Sequence, residues 1–405
     1  MKKWLIVSFI LLASSLVACT SETTITTTTT NTEESTTTTT YDPLSLMANI
    51  PDDCPVIDIV SGWIPVWCEE FNYTGGVDAT KWSHQNGGGG FGNNELQYYT
   101  SRAENAYVDG EKLIITALKE SYNGSQYTSS KIWTSGKVDW TYGKFEMRAK
   151  LPSAGGTWPA FWMMPTTSSY GGWPNSGEID IMEHVGNNLD TVVGSIHTEK
   201  YNHILGTQIS SSKYLVGLST DFHIYSVTWN EYSMSWYVDQ YKYGTTLFDA
   251  GANTDVESHA AWPFDKDFYL ILNLAMGGNM GGTIESGFVS DTFEIDYVRV
   301  YERDYATGDT TNPTPVRNVQ SLRVQSNNAY VIWDRSTDTN ATTGYGQVAG
   351  YRVLVDGTLV DLVSLNSVHL TNLTANTTYQ VQIQAYDYAG NLSTITSYSL
   401  TTPLA

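Results

Sequence analysis

The sequence predicts an all-β protein, a large β-sandwich or barrel followed by a small one. Two observations predict this. From Asp52 to Tyr301 short runs of alternating apolar and polar residues follow each other, separated by Gly, Asn and Asp clusters. Alternation at period two marks half-buried strands. The runs include KLIITAL (112–118), KFEMRAKL (144–151), HIYSVTW (223–229), MSWYVD (234–239), FYLILNLAM (268–276) and FEIDYVRVY (293–301), and no stretch of helical period competes with them. Past residue 315 the rhythm restarts in AYVIW (329–333), YRVLVDG (351–357) and YQVQIQAYD (379–387). Many short strands at this spacing close into a sandwich or barrel.

The chain divides as follows. Lys2 and Lys3 precede an apolar run from Trp4 to Leu12, and Leu16-Val17-Ala18-Cys19 follows. A basic start, a short apolar run and small residues make an export signal, too short for an ordinary membrane span. The last four residues resemble the lipobox of bacterial lipoproteins. That resemblance implies cleavage after residue 18 and lipidation of Cys19; the alternative is a plain secretory signal with an incidental cysteine. Residues 1–19 are therefore read as the signal. Residues 20–50, with TSETTITTTTTNTEESTTTTT at their start, have no apolar periodicity and read as a disordered tether. Residues 51–305 form the large domain, 306–314 a linker rich in Thr, Asn and Pro, and 315–405 the small domain. In an exported chain the remaining cysteines, Cys54 and Cys68, invite a disulfide, with two buried free thiols as the alternative.

Composition narrows the partners. The formal net charge is −21, which repels nucleic acid and disfavours a polyanionic substrate. The chain holds 27 Tyr and 13 Trp, enough flat rings to line a binding cleft as well as a core. No HExxH, Cys₄ pattern or P-loop is present, so no cofactor is expected for catalysis. Nothing demands more than a monomer, and the membrane is reached only through the N-terminal anchor.

The chemistry sits in GEIDIMEHVG (177–186). On a strand Glu178 and Asp180 share one face, and Ile179 and Ile181 share the other. Simple alternation would bury Glu183 among the isoleucines, where an unpaired carboxylate is costly. A β-bulge at Ile181-Met182 would return it to the polar face. Glu178 and Glu183 would then lie ~13 Å apart at Cα. Leaning side chains would bring the carboxyls to roughly 5 Å, the separation of retaining glycosidases. Three acids this close cannot ionise independently, so one can stay protonated while another stays charged. A solvated acidic face or a calcium site is the alternative. Trp158, Trp162 and Trp173 stand just upstream, in GTWPAFWMMP (156–165) and WPNSGE (173–178); indole faces stack on sugar C–H faces.

In this company residues 55–302 resemble glycoside hydrolase family 16, in its bacterial laminarinase-like members. The supporting stretches are EEFNYTGGVDATKW (69–82), NNELQYYT (93–100), YGKFEMRAKLP (142–152), GTWPAFWMMP, GEIDIMEHVG, GSIHTEKYNH (194–203), FHIYSVTW (222–229), LNLAMGGNMGG (272–282) and IDYVRVY (295–301), in the family's order. The resemblance implies a β-jelly roll with a concave substrate cleft. It implies that Glu178 is the nucleophile, Glu183 the acid/base and Asp180 their assistant, and that Asn94, Arg148, Trp158, Trp162, Trp173 and His197 line the subsites. It also implies a structural Ca²⁺ on Asp296, completed by the backbone carbonyls of Glu70 and Gly110. Trp333, Tyr351, Tyr379 and DYAGNLS (387–393) resemble a fibronectin type III domain.

The reading that follows is an exported or surface-anchored endo-β-1,3-glucanase. The six-residue ExDxxE spacing is typical of laminarinases in the family, and many lichenases carry a five-residue form. A β-1,3-1,4-glucanase stays open as the alternative, as do a glucan-binding protein without catalysis and an adhesin. Relatives acting on agar or carrageenan share the spacing, but −21 gives a sulfated substrate little support.

Overall fold

The computed structural model describes residues 50–55, 63–231, 233–247, 258–303, 305, 309–339, 346–363 and 365–404. The signal, Cys19 and nearly all of the tether lie outside them. Among the described residues the helices are two single turns, Ser258–Ala261 and Gly278–Gly281.

The large domain is two sheets face to face. One has seven strands in the order Ile209–Tyr214, Asn188–His197, Glu178–Val185, Thr157–Pro165, Phe268–Met276, Lys131–Trp133 and Ser83–His84. It carries the acids and is called the cleft sheet below. The other, the outer sheet, has eleven strands and is centred on Gly143–Lys150 and Ser290–Arg303. Alternation builds the core between them. Phe161, Met163, Ile179, Ile181, Val192 and Ile196 point in from the cleft sheet, and Phe145, Met147, Ala149, Val227, Phe293 and Ile295 from the outer sheet. All are fully buried, which is the main driving force for closing the sandwich. Cys54 and Cys68 are joined in a disulfide that fastens the start of the domain to its first strand, Trp63–Glu69.

The small domain packs three strands (Arg317–Leu322, Ala329–Asp334, Ser367–Leu370) on four (Thr358–Val363, Val348–Val355, Thr378–Asp387, Thr396–Thr401). Trp333 meets Tyr351 edge-on at 5.3 Å in its core. This domain touches the large one directly. The Tyr388 hydroxyl and the Gln347 amide both donate to the carboxylate of Glu231, which is only 4% exposed, and Tyr305 stacks on Tyr388 at 5.5 Å.

Candidate active site

The strand Glu178–Val185 is bulged. Asp180 lies opposite Ser195 and Glu183 opposite Val193, three steps on one strand against two on the other. On the other side Asp180 faces Trp162 and Met182 faces Phe161, with the matching shift. The extra residue falls at Ile181-Met182, where both side chains are fully buried. Glu178, Asp180 and Glu183 are thereby turned to one face. The bulge is held from the core. Trp236, on the outer sheet, donates its indole N–H to the carbonyl of Asp180 at 2.9 Å. It reaches that carbonyl through space left by Gly194, where a Cβ would lie 2.2 Å from the indole.

Two further indoles hold the glutamates. Trp158 Nε1 donates to Glu183 Oε1 at 3.1 Å, and Trp173 Nε1 donates to Glu178 Oε2. His197 pairs in register with Glu178, and its Nε2 lies 3.3 Å from Asp180 Oδ2. His203 stands against both Trp173 and His197 at ring distances of 5.1 and 5.2 Å. Trp158 and Trp162, four residues apart, are each half-buried on the same side of their strand.

Burial pushes all three carboxyls up. Glu178 rises to about 8, from burial first and the charge of Asp180 second. Glu183 rises to about 7, from burial and then Glu178. Asp180, 2% exposed, rises well above the carboxylate range for the same reason, with Glu183 as its charged neighbour. The protons belong to the trio rather than to one residue. Glu178, Asp180 and His197 bring one polar atom each within 4.8 Å of the others.

Other side chains converge here without a sequence signal of their own. Lys131 is buried beneath Trp162, its Nζ 4.7 Å from the ring. Burial pushes its ammonium down to about 8, and Glu95 and Glu178 pull it back up. Asn273 accepts from Trp162 Nε1 at 2.7 Å and donates to Tyr99 Oη, which donates to Glu95. Tyr269 feels the charge of Glu178, and Tyr243 that of Glu183. Asn273 and Lys131 are polar residues inside apolar strands, a clue legible only once the strands are known to be neighbours.

Asn94 is on a loop, bonded to Asn279 at 2.8 Å. The Gly278–Gly281 turn beneath it packs against Trp158, so the loop borders the indole surface. Arg148 does not join these residues, and this corrects the expectation. Its strand belongs to the outer sheet. Met147 and Ala149 beside it point into the core, so alternation sends Arg148 to the far face of the sandwich. There it pairs with Asp296 and lies over Phe222. The carboxylate of Glu70 is taken by Arg299 in a two-pronged pair at 2.6 and 2.8 Å. A calcium ion at Asp296 would share its carboxylate with Arg148, which is bonded at Oδ2.

A β-sandwich with a row of paired carboxyls beneath an indole-lined face is the build of a glycoside hydrolase. Residues 93–298 match the family described as Glycosyl hydrolases family 16, and the chain belongs to it. Residues 314–400 match the fibronectin type III domain. Over 247 residues the chain is 49% identical to a β-glucanase of Rhodothermus marinus, a match covering 59% of this chain and 85% of that protein. It is 39% identical over 250 residues to a glucan endo-1,3-β-glucosidase of Cryptopygus antarcticus, covering 58% and 91%. Among solved structures, the laminarinase of Rhodothermus marinus aligns with a TM-score of 0.57 at 48% identity, covering 60% of this chain and 98% of that one.

Two outcomes follow from this geometry. Trp236→Phe leaves the Asp180 carbonyl buried and unpaired, so denaturant unfolding should show a loss of about 1–3 kcal/mol. Since Trp236 lies in the core, kcat should fall more than KM rises. Glu178→Gln should stabilise the fold, and increasingly so with pH. A carboxyl raised from 4.5 to about 8 favours the folded state below the unfolded value and loses that contribution as pH rises through the folded one. Thermal melts of the two proteins should coincide near pH 4. The variant should melt on the order of ten degrees higher at pH 8, since each pH unit of the rise is worth about 1.4 kcal/mol and a domain of this size gains roughly 2–4 °C per kcal/mol.

Proposed function

We propose that this protein is a retaining endo-β-1,3-glucanase acting on neutral β-glucan outside the cell. The observation that carries the reading is the bulge, which turns Glu183 to the face of Glu178 and gives each glutamate its own indole N–H. In the reaction, the Glu178 carboxylate attacks the anomeric carbon while Glu183 gives its proton to the departing glycosidic oxygen. A covalent glycosyl-enzyme forms. Glu183, now a base, takes a proton from water, and the hydroxide oxygen displaces Glu178 with a second inversion.

Asp180 lies between the two and keeps its proton, which it offers to whichever oxygen of Glu178 bears the charge. His197 at 3.3 Å orients it. The indole faces of Trp158, Trp162 and Trp173 bind glucosyl units by stacking, which suits an uncharged polymer and a chain of net charge −21. Export, lipidation at Cys19 and a Thr-rich tether would hold a monomeric enzyme at the cell surface, within reach of polymer too large to enter.

The test is product analysis on laminarin, mixed-linkage β-1,3-1,4-glucan and agarose in parallel, with Glu178→Ala as the blank. A ladder of short oligomers from laminarin, released first as the β-anomer by NMR, with the variant at least a thousandfold slower, is the expected result. Faster turnover of mixed-linkage glucan would replace the substrate and keep the mechanism. First release of the α-anomer would overturn the retaining mechanism.

A further inference from the structure

A second carboxylate trio lies far from the first in sequence. Asp309 comes from the segment joining the two domains, Asp338 from the loop after Ala329–Asp334, and Asp387 from the end of Thr378–Asp387. One oxygen of each lies within 4.8 Å of the others. Asp309 is 7% exposed and Asp387 2%, so this is no solvated acidic face.

The hydrogen bonds in the cluster leave part of it unanswered. Asp309 Oδ1 accepts from the Thr311 amide at 2.9 Å. Both oxygens of Asp387 accept from Asn391, from its amide at 2.8 Å and its side chain at 2.9 Å. The side chain of Asn391 also donates to the Asp309 carbonyl at 3.2 Å. Asp309 Oδ2 and both oxygens of Asp338 are buried with no hydrogen-bond partner. The clearest case is Asp309 Oδ2, on a residue only 7% exposed, and a buried carboxylate oxygen without a donor is costly.

We infer that Asp309, Asp338 and Asp387 bind a divalent cation, of the calcium class, at the root of the fibronectin type III domain. The donor set is all oxygen, which selects a hard cation. Ca²⁺ takes about six to eight oxygens in a flexible shell, whereas Mg²⁺ keeps several waters and rarely uses an all-protein cage, which favours Ca²⁺ at three converging carboxylates. Backbone carbonyls and water would fill the remaining positions. Without a cation the carboxyls crowd one another. Burial above all pushes Asp338 up to about 6; the Thr339 amide opposes it, and the charges of Asp309 and Asp387 add smaller upward pushes.

The placement gives the cation a task. Tyr388 follows Asp387 directly, and it is the residue whose hydroxyl reaches Glu231 on the catalytic domain. A cation that ties the joining segment to the 387–391 turn fixes the residue that docks one domain on the other.

The full chain, stripped with EDTA and dialysed, would be titrated with CaCl₂ by calorimetry beside Asp338→Asn. The wild type should take up one Ca²⁺ more than the variant. Any cation at Asp296 would be common to both and cancel. Hydrogen exchange at the Gly390 and Asn391 amides should slow tenfold or more on adding Ca²⁺ to the wild type and not change in the variant. In EDTA the variant should melt higher than the wild type, because it relieves the crowding; this shows that it folds. Equal Ca²⁺ uptake by the two proteins would overturn the inference. So would protection that responds to low pH but not to Ca²⁺, which would mean that the trio shares protons instead. Asp309→Asn should reproduce the loss of binding. Protection by MgCl₂ equal to that by CaCl₂ would overturn the choice of calcium.

Discussion

The site depends on one irregularity, the extra residue at Ile181-Met182. A regular strand would send Glu183 into the core, where it would have to be neutral or absent. The bulge interrupts the ladder, and an interrupted ladder leaves a backbone carbonyl to be satisfied inside the sandwich. Trp236 satisfies it from the opposite sheet, and Gly194 leaves the room. The catalytic strand and the outer sheet are thus bound by a directional contact as well as by apolar packing. A bulge held this way cannot slide along the strand without breaking a buried hydrogen bond, so the aim of Glu183 is as rigid as the core.

Gathering three acids on one face works against stability, because each raised carboxyl favours protonation over folding at neutral pH. The indole N–H groups of Trp158 and Trp173 offset part of this by answering the charge. They donate through the ring edge, so in the proposed reaction the same side chains answer the carboxylates and meet the sugar. Lys131 adds a cation beneath Trp162, buried enough that its own charge is weakened.

Much of this was legible in the sequence. The broken alternation of GEIDIMEHVG marked the bulge and named its two residues. Trp158 and Trp162, four residues apart on an alternating strand, share a face by spacing alone. Arg148 shows where such reasoning stops. Alternation in KFEMRAKL says that Arg148 points away from the core, but it does not say which sheet the strand joins, and the answer reverses its surroundings. Lys131, Asn273 and Tyr269 were hidden for a related reason, since their meaning comes from neighbours across the sheet. The joining segment was read by composition as a plain linker, yet Asp309 within it is buried. Its partners lie on a loop and at the end of a distant strand, and no local pattern points to them.

The two trios answer the same electrostatic problem in different ways. In the reaction proposed for Glu178, Asp180 and Glu183 the charge moves between residues, so protons are the fitting counter-ions: they come and go as bonds form and break. In Asp309, Asp338 and Asp387 no reaction calls for movement, and the segments they join must stay together. A multivalent cation is the better fit there, because it holds several carboxylates at once and leaves only when all of them let go. Solvent access agrees with this division. The glutamates of the first trio are partly buried and keep some solvent access along the indole face. Two of the three residues in the second are sealed in a joint.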